Sequence, residues 1–220
     1  MVYKILMVDD HKTMLTGYKT ILEFNDKNLE IEATFCHNCE EAYFIITNES
    51  NRNAFDMVFL DRSLPPFFEK KIKSGEDLAL LAREHLANCK IIMLTSHAES
   101  FVIYDIIHKV RPSGLLIKSD FDGDVLLEAF DSVLNDETYY TETVKSSIKE
   151  LLSREDYLDS INRQIITLLS QGFKNKTIAN QLGLSDSAIE KRKSRIKDFF
   201  FIDKGTDEDL IVEARKLGFI

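Results

Sequence analysis

The residues with the clearest chemical meaning are polar groups placed at the ends of apolar runs. In "ILMVDDHK" (residues 5–12) four apolar residues lead straight into Asp9 and Asp10. The run in "DMVFLDRSLPP" ends at Asp61, the run in "KIIMLTSHAE" at Thr95 and Ser96, and the run in "GLLIKSD" at Lys118. A carboxylate removed from water is costly unless it is paired or ligates a metal. Two in succession also repel each other, so a cation is expected beside Asp9 and Asp10. Mg²⁺ fits, because it takes hard oxygen ligands, commonly one or two carboxylates plus phosphate oxygens. Asp61 then has the makings of a nucleophile that forms an aspartyl phosphate. The Thr95 hydroxyl can hydrogen-bond a phosphoryl oxygen, and the Lys118 ammonium can pair with another.

These groups converge only if the chain folds in a particular way. Short apolar runs at 3–8, 29–35, 56–60, 90–94 and 114–117 predict strands. Helical patterns at 13–24, 38–50, 76–87, 99–109 and 124–135 separate and follow them. Strict alternation predicts parallel strands joined by right-handed crossovers, a doubly wound α/β sheet of five strands. Such a sheet binds ligands outside the carboxyl ends of its strands. With the first strand central, the ends of strands one, three, four and five face one crevice.

The acidic pair together with "FLDRSLP", "MLTS" and "LLIKSD" resembles the receiver domain of two-component response regulators, over about residues 1–125. The resemblance implies a flavodoxin-like fold. It implies that Asp61 accepts a phosphoryl group from a phosphohistidine on a sensor histidine kinase. It also implies Mg²⁺ held by Asp10, Asp61 and the Ser63 carbonyl, with Asp9 assisting. Three features depart from the family pattern. Leu115 stands where an aromatic residue is usual, and Ser96 where Ala is usual. The stretch "PFFEKKIKSGED" is longer than usual and basic at Lys70, Lys71 and Lys73, and is expected to be a solvated loop.

The net charge of −9 is unevenly spread. Residues 1–150 hold 16 Lys and Arg against 26 Asp and Glu, whereas residues 151–200 hold 9 against 6. Different signs imply two domains with different partners. The polar segment 136–150 is expected to be a linker between a receiver at 1–135 and a second domain at 151–220. Helical patterns at 155–171, 175–182, 186–200 and 207–217 make that second domain all-α, with four helices. In "QGFKNKTIANQLGLSDSAIEKRKSRIKDFF" two helices meet around Gly183, and Ser185 is a good N-cap for the second. Five basic residues against two acidic ones between 185 and 197 read as a helix-turn-helix for double-stranded DNA. Lys191, Arg192, Lys193 and Arg195 are the expected contacts. The segment resembles the LuxR/NarL-type DNA-binding domain, but carries Glu190, Arg192 and Arg195 where typical members have Lys, His and Asn.

The last helix has an N-cap in Thr206, with Asp209 three residues on. Its stripe of Leu210, Ala214 and Leu217 is expected to pair two copies into a homodimer in the active state, placing two recognition helices about one DNA turn apart. Gly218 can end it. Cys36 and Cys39 form a lone C-x-x-C, read as a strand end followed by a helix start rather than a zinc or redox site. No apolar run approaches the roughly 20 residues that span a bilayer. The expectation is therefore a cytoplasmic, non-enzymatic response regulator. Two rivals stay open: a DNA-binding regulator whose receiver no longer responds to phosphorylation, and a metal-dependent phosphohydrolase using Asp61.

Overall fold

The computed structural model of the chain describes residues 2–153, 158–200, 202, 205–216 and 219–220. The chain divides into two compact units, residues 1–144 and 145–220. The first alternates β1 (Val2–Val8), α1 (Lys12–Leu22), β2 (Glu30–Cys36), α2 (Cys39–Ile46), β3 (Met57–Asp61), α3 (Gly75–His85), β4 (Lys90–Thr95), α4 (Ser100–Val110), β5 (Gly114–Ile117) and α5 (Gly123–Leu134). A short β6 (Tyr139–Tyr140) follows. The strands form one parallel sheet in the order β2-β1-β3-β4-β5-β6. The five expected strands are all present. The sheet nevertheless has six, because β6 pairs with Gly114 and Leu115 on the edge.

The strands are apolar on both faces, as a sheet covered on both sides requires. Ile5, Met7, Met57, Phe59, Ile92, Leu94 and Leu116 pack with Leu15, Leu22, Leu126 and Phe130 from α1 and α5. The alternate residues Leu6, Val8, Val58, Leu60, Ile91, Met93 and Leu115 are equally buried. The polar exceptions at the strand ends are therefore conspicuous: Asp9, Asp61 and Thr95 are all buried.

Local sequence sets the helix starts. Asn38 accepts a bond from the Glu41 N–H at 2.8 Å, and the Glu41 carboxylate accepts from the His37 N–H at 2.8 Å. This reciprocal cap opens α2. Cys36 and Cys39 are free, buried thiols, pushed up to about 12 and about 11, chiefly by burial. They stay protonated at neutral pH, consistent with a structural role for the C-x-x-C.

The basic stretch after Pro65 exposes Lys70, Lys71 and Lys73, as expected of a solvated loop, but it is closed at its base. Phe67 and Ile72 are buried and exchange two backbone bonds, at 2.8 and 3.1 Å. A single 3₁₀ turn, Phe68–Lys70, lies between them, and Lys71 turns the chain back at φ 59°. The result is a small closed hairpin whose Phe67 ring packs on Tyr43 and Phe44.

Residues 136–150, expected as a linker, carry β6 and much of a further helix, α6 (Glu142–Ser153). Thr141 just before it, and Val144, Ser147 and Ile148 within it, are buried. Two of these four are polar, which hides the apolar period from sequence reading.

The second unit contains α7 (Ser160–Ser170), α8 (Asn175–Leu182), α9 (Asp186–Phe199) and α10 (Asp207–Lys216). Asp159 caps α7 through the Asn162 N–H. Gly183 closes α8 at φ +65°, a left-handed conformation that favours glycine. Ser185 then caps α9 through the Ala188 N–H at 3.2 Å. Thr206 and Asp209 form the reciprocal cap of α10, with bonds of 2.6 and 3.3 Å. Ile165, Ile166, Ile178, Ile189, Ile196, Leu210 and Ala214 are buried.

One contact in the first unit ties fold to site. Gly75 opens α3 directly against the end of β3, donating its N–H to the Arg62 carbonyl at 3.0 Å. A Cβ at this position would lie 1.9 Å from the Asp61 carbonyl oxygen, a backbone atom that cannot swing away. Gly75→Ala should therefore cost about 3 kcal/mol of stability, measured by urea unfolding. A loss below about 1 kcal/mol would show that α3 can shift without penalty.

Candidate functional site

The acidic crevice is built at the carboxyl end of the sheet, and its distances make it one electrostatic unit. Lys118 leaves the end of β5 and places its Nζ 2.7 Å from Asp9 Oδ2 and 3.0 Å from Asp61 Oδ2. Asp9 is 1% exposed and Asp61 3%. The Lys118 N–H also donates to the Thr95 carbonyl at 2.7 Å, which fixes β5 against β4 at this end. Thr95 is fully buried, and its Oγ1 accepts from the His97 N–H at 3.0 Å. Asp10 lies at the rim with His11, whose Nδ1 sits 2.7 Å from Asp10 Oδ1 and 3.2 Å from Asp9 Oδ1. The His11 N–H donates to Asp9 Oδ1 at 2.9 Å.

Burial raises the Asp61 carboxyl above the usual carboxylate range, and the Asp9 charge adds to this. Bonds from Lys118 and from the Ser63 backbone N–H oppose the rise without overcoming it. Burial alone would lower Lys118, but the two carboxylates outweigh it and hold the ammonium charged. Two buried acids thus share one base, with a third acid at the rim. The imbalance is one of negative charge, and the donors are predominantly oxygens, which suits a hard divalent cation. Asp9, Asp10 and His11 bring ligand atoms within 4.8 Å of one another, the one such group among the described residues. Asp61 stands outside that group and is linked to it through Lys118. Ser63 is exposed and reaches Asp61 through its backbone.

The helical unit distributes its cations differently from the sequence expectation. Lys191 and Arg195 are exposed on α9. Lys193 is not: it is 4% exposed, and its Nζ lies 2.6 Å from Asp207, 3.1 Å from Asn175 and 3.3 Å from Glu190. Arg192 is half-buried, bonded to Asp159 at 2.7 Å and Asn162 at 2.8 Å. Lys197 reaches the Gly205 carbonyl and Asp207, both at 3.1 Å. The expectation that Lys193 meets DNA is therefore corrected, since its ammonium is enclosed and paired, and Arg192 is held by its own domain. The signal was in the sequence. Ile189, Lys193, Ile196 and Phe200 follow the i, i+4, i+7, i+11 spacing of a buried stripe, and all four are buried.

The expected dimer stripe is corrected likewise. Leu210 and Ala214 are fully buried within their own unit, where α10 packs on α7. Leu217 and Gly218 lie outside the described residues. Among the described residues no helix is long and apolar enough to cross a membrane.

Comparison with known proteins agrees with this geometry. Residues 5–131 match the family described as the response regulator receiver domain. The chain is 24% identical to the oxygen regulatory protein NreC of Staphylococcus epidermidis, over 88% of each. It is 27% identical to a nitrate/nitrite response regulator protein homolog of Haemophilus influenzae, over 85% of each. Among solved structures, RcsB from Salmonella enterica serovar Typhimurium, bound to promoter rprA in the presence of phosphomimetic BeF3-, superposes with a TM-score of 0.56 at 20% identity, covering 98% of both chains. Two RcsB dimers bound to two parallel DNAs give a TM-score of 0.56 at 19% identity, covering 98% of this chain and 99% of that one.

The Lys193–Asp207 pair makes a pH dependence. Burial alone would raise the Asp207 carboxyl, but Lys193 and Lys197 outweigh it and hold it below the usual carboxylate range. A carboxyl with a depressed folded pKa contributes fully above its unfolded value, about 4, and the contribution is lost as pH falls through the folded value. Asp207→Asn should lower the melting temperature of the helical signal by roughly 5 °C at pH 7, after discounting for partial exposure. At pH 3 the difference should shrink towards zero. An undiminished gap at pH 3 would show that the charge pair is not its source.

Proposed function

The chain belongs to the response regulator receiver family, and from that membership we propose a two-component response regulator in which phosphoryl transfer to Asp61 controls DNA binding and transcription. The carrying observation is the Asp9–Lys118–Asp61 constellation, with Thr95 at the adjoining strand end. The phosphoryl donor is a phosphohistidine on a sensor histidine kinase. An Asp61 carboxylate oxygen attacks phosphorus, an acyl phosphate bond forms, the phosphorus–nitrogen bond breaks with its electron pair going to nitrogen, and the ring, already protonated on its other nitrogen, leaves as neutral imidazole. Asp9, Asp10, Asp61 and the Ser63 carbonyl are the residues that would hold Mg²⁺, which neutralises phosphoryl charge when bound. Lys118 then exchanges one carboxylate partner for a phosphoryl oxygen, and the Thr95 hydroxyl leaves the His97 N–H to bond another. Those two exchanges define a second state of the crevice, and phosphorylation shifts the population towards it.

The helix-turn-helix at α8 and α9 is the output. Its exposed cations, Lys191 and Arg195, are the DNA contacts this geometry favours, with Lys174 and Lys176 exposed at the start of α8. Homodimerisation in the active state belongs to the same reading, because one helix-turn-helix reads little DNA and two-fold pairing doubles the site. The contact surface would not be the Leu210–Ala214 stripe, which is already covered. A protein with these partners works in the cytoplasm.

Acetyl phosphate with Mg²⁺ should add one phosphoryl mass to the chain, and EDTA should prevent it. Asp61→Asn should abolish the added mass. Labelling that persists in this variant would move the acceptor elsewhere. Lys118→Met should lose the phosphorylation-dependent change in DNA affinity, measured by fluorescence anisotropy on a bound duplex.

A further inference from the structure

The exposed face of α9 is not the basic surface that its sequence suggests. Three of its five cations, Arg192, Lys193 and Lys197, are engaged within the domain. The exposed charges are Lys191 and Arg195 against Asp186, Glu190 and Asp198, a balance of −1. Ser187, Glu190 and Lys191 are exposed at i, i+3 and i+4, one face of the first half of the helix, which Ser194 continues at i+7. In a helix-turn-helix that half is the one presented to base edges. A carboxylate there cannot face the phosphate backbone without repulsion.

Glu190 is also held in place. Its Oε1 accepts a hydrogen bond from the Asn175 side-chain amide and lies 3.3 Å from the buried Lys193 ammonium. Oε2 has no partner among the described residues, and the side chain is 61% exposed. One oxygen is thus anchored by α8 and the α9 core while the other points to solvent as a fixed acceptor. A fixed acceptor on a groove-facing helix needs a base donor, and the major groove offers amino groups on cytosine N4 and adenine N6. Acidic side chains pair with the former.

We infer that Glu190 is a specificity-determining residue that reads a cytosine amino group in the major groove, oriented by Asn175 and Lys193. The inference rests on the DNA-binding reading above. It makes Lys193 a positioning residue, because its ammonium acts through the carboxylate and does not touch DNA.

The test is selection from a randomised duplex library by the full chain, with Mg²⁺ and beryllofluoride as the phosphoryl mimic. The wild-type chain should enrich cytosine at one position per half-site, by about tenfold over other bases. Glu190→Gln keeps an acceptor for Asn175 and nearly the same shape, but turns an N–H donor instead of an acceptor to the groove. It should end the preference for cytosine at that one column, in favour of bases that present an acceptor there, and leave the other columns unchanged. Lys191→Gln should weaken binding across all sequences without moving any column. Identical columns in wild type and Glu190→Gln would overturn the inference while leaving DNA binding intact. An even weakening of every column would overturn it too, by making Glu190 purely structural. No enrichment by the wild-type chain would overturn both the inference and the DNA-binding reading beneath it.

Discussion

Two buried carboxylates sharing one lysine are the constraint around which the first unit is arranged. Asp9 and Asp61 end neighbouring strands, and Lys118 comes from two strands away, so the triad exists only if β1, β3, β4 and β5 are parallel and in register. The apolar sheet supplies that register, because slipping any strand by one residue would turn its buried set outward. In return the sheet carries a charge problem at its end. Lys118 offsets one of the two buried charges and leaves the other, a deficit of positive charge that suits a hard cation. Chemistry and fold are coupled here through a deficit of positive charge.

The second unit handles charge in the opposite sense. Its sequence is rich in cations, but three of those on α9 are used internally. Lys193 is the extreme case, a buried ammonium ringed by Asp207, Asn175 and Glu190. Such a group stabilises little on its own account, since desolvation offsets most of the attraction. What it provides is alignment: it joins the first turn of α10, the first turn of α8 and the middle of α9. Arg192 does the same for α7 through Asp159 and Asn162. The helix that faces outward is therefore aimed by the charged residues that face inward.

Much of this was legible in the sequence, and the failures have physical causes. Near-continuous apolar runs marked β1 to β5 because both sheet faces are covered. The convergence of Asp9, Asp61 and Lys118 followed from strand order alone. β6 is two residues long, too short for any period to register, and α6 buries Ser147 among its apolar positions, with Thr141 buried just before it. Lys193 counts as a cation of α9, but it sits on the stripe of Ile189, Ile196 and Phe200, and that stripe, not its charge, decides where it points. Leu210 and Ala214 are legible as an apolar stripe, here read as a dimer contact, but periodicity says only that a face is covered and not what covers it. The caps at Ser185 and Thr206 were readable because they depend on neighbours within three residues.

The closed hairpin between Phe67 and Ile72 has a practical corollary. Its two backbone bonds close the base of the loop, Phe67 and Ile72 anchor that base, and the chain continues into α3 at Gly75. Lengthening an already closed surface loop costs little, since closure entropy grows only with the logarithm of length. The tip at residues 68–71 is exposed, which makes it a graft point: an epitope, a fluorophore or a small reporter domain can be spliced there while the anchored base stays in place.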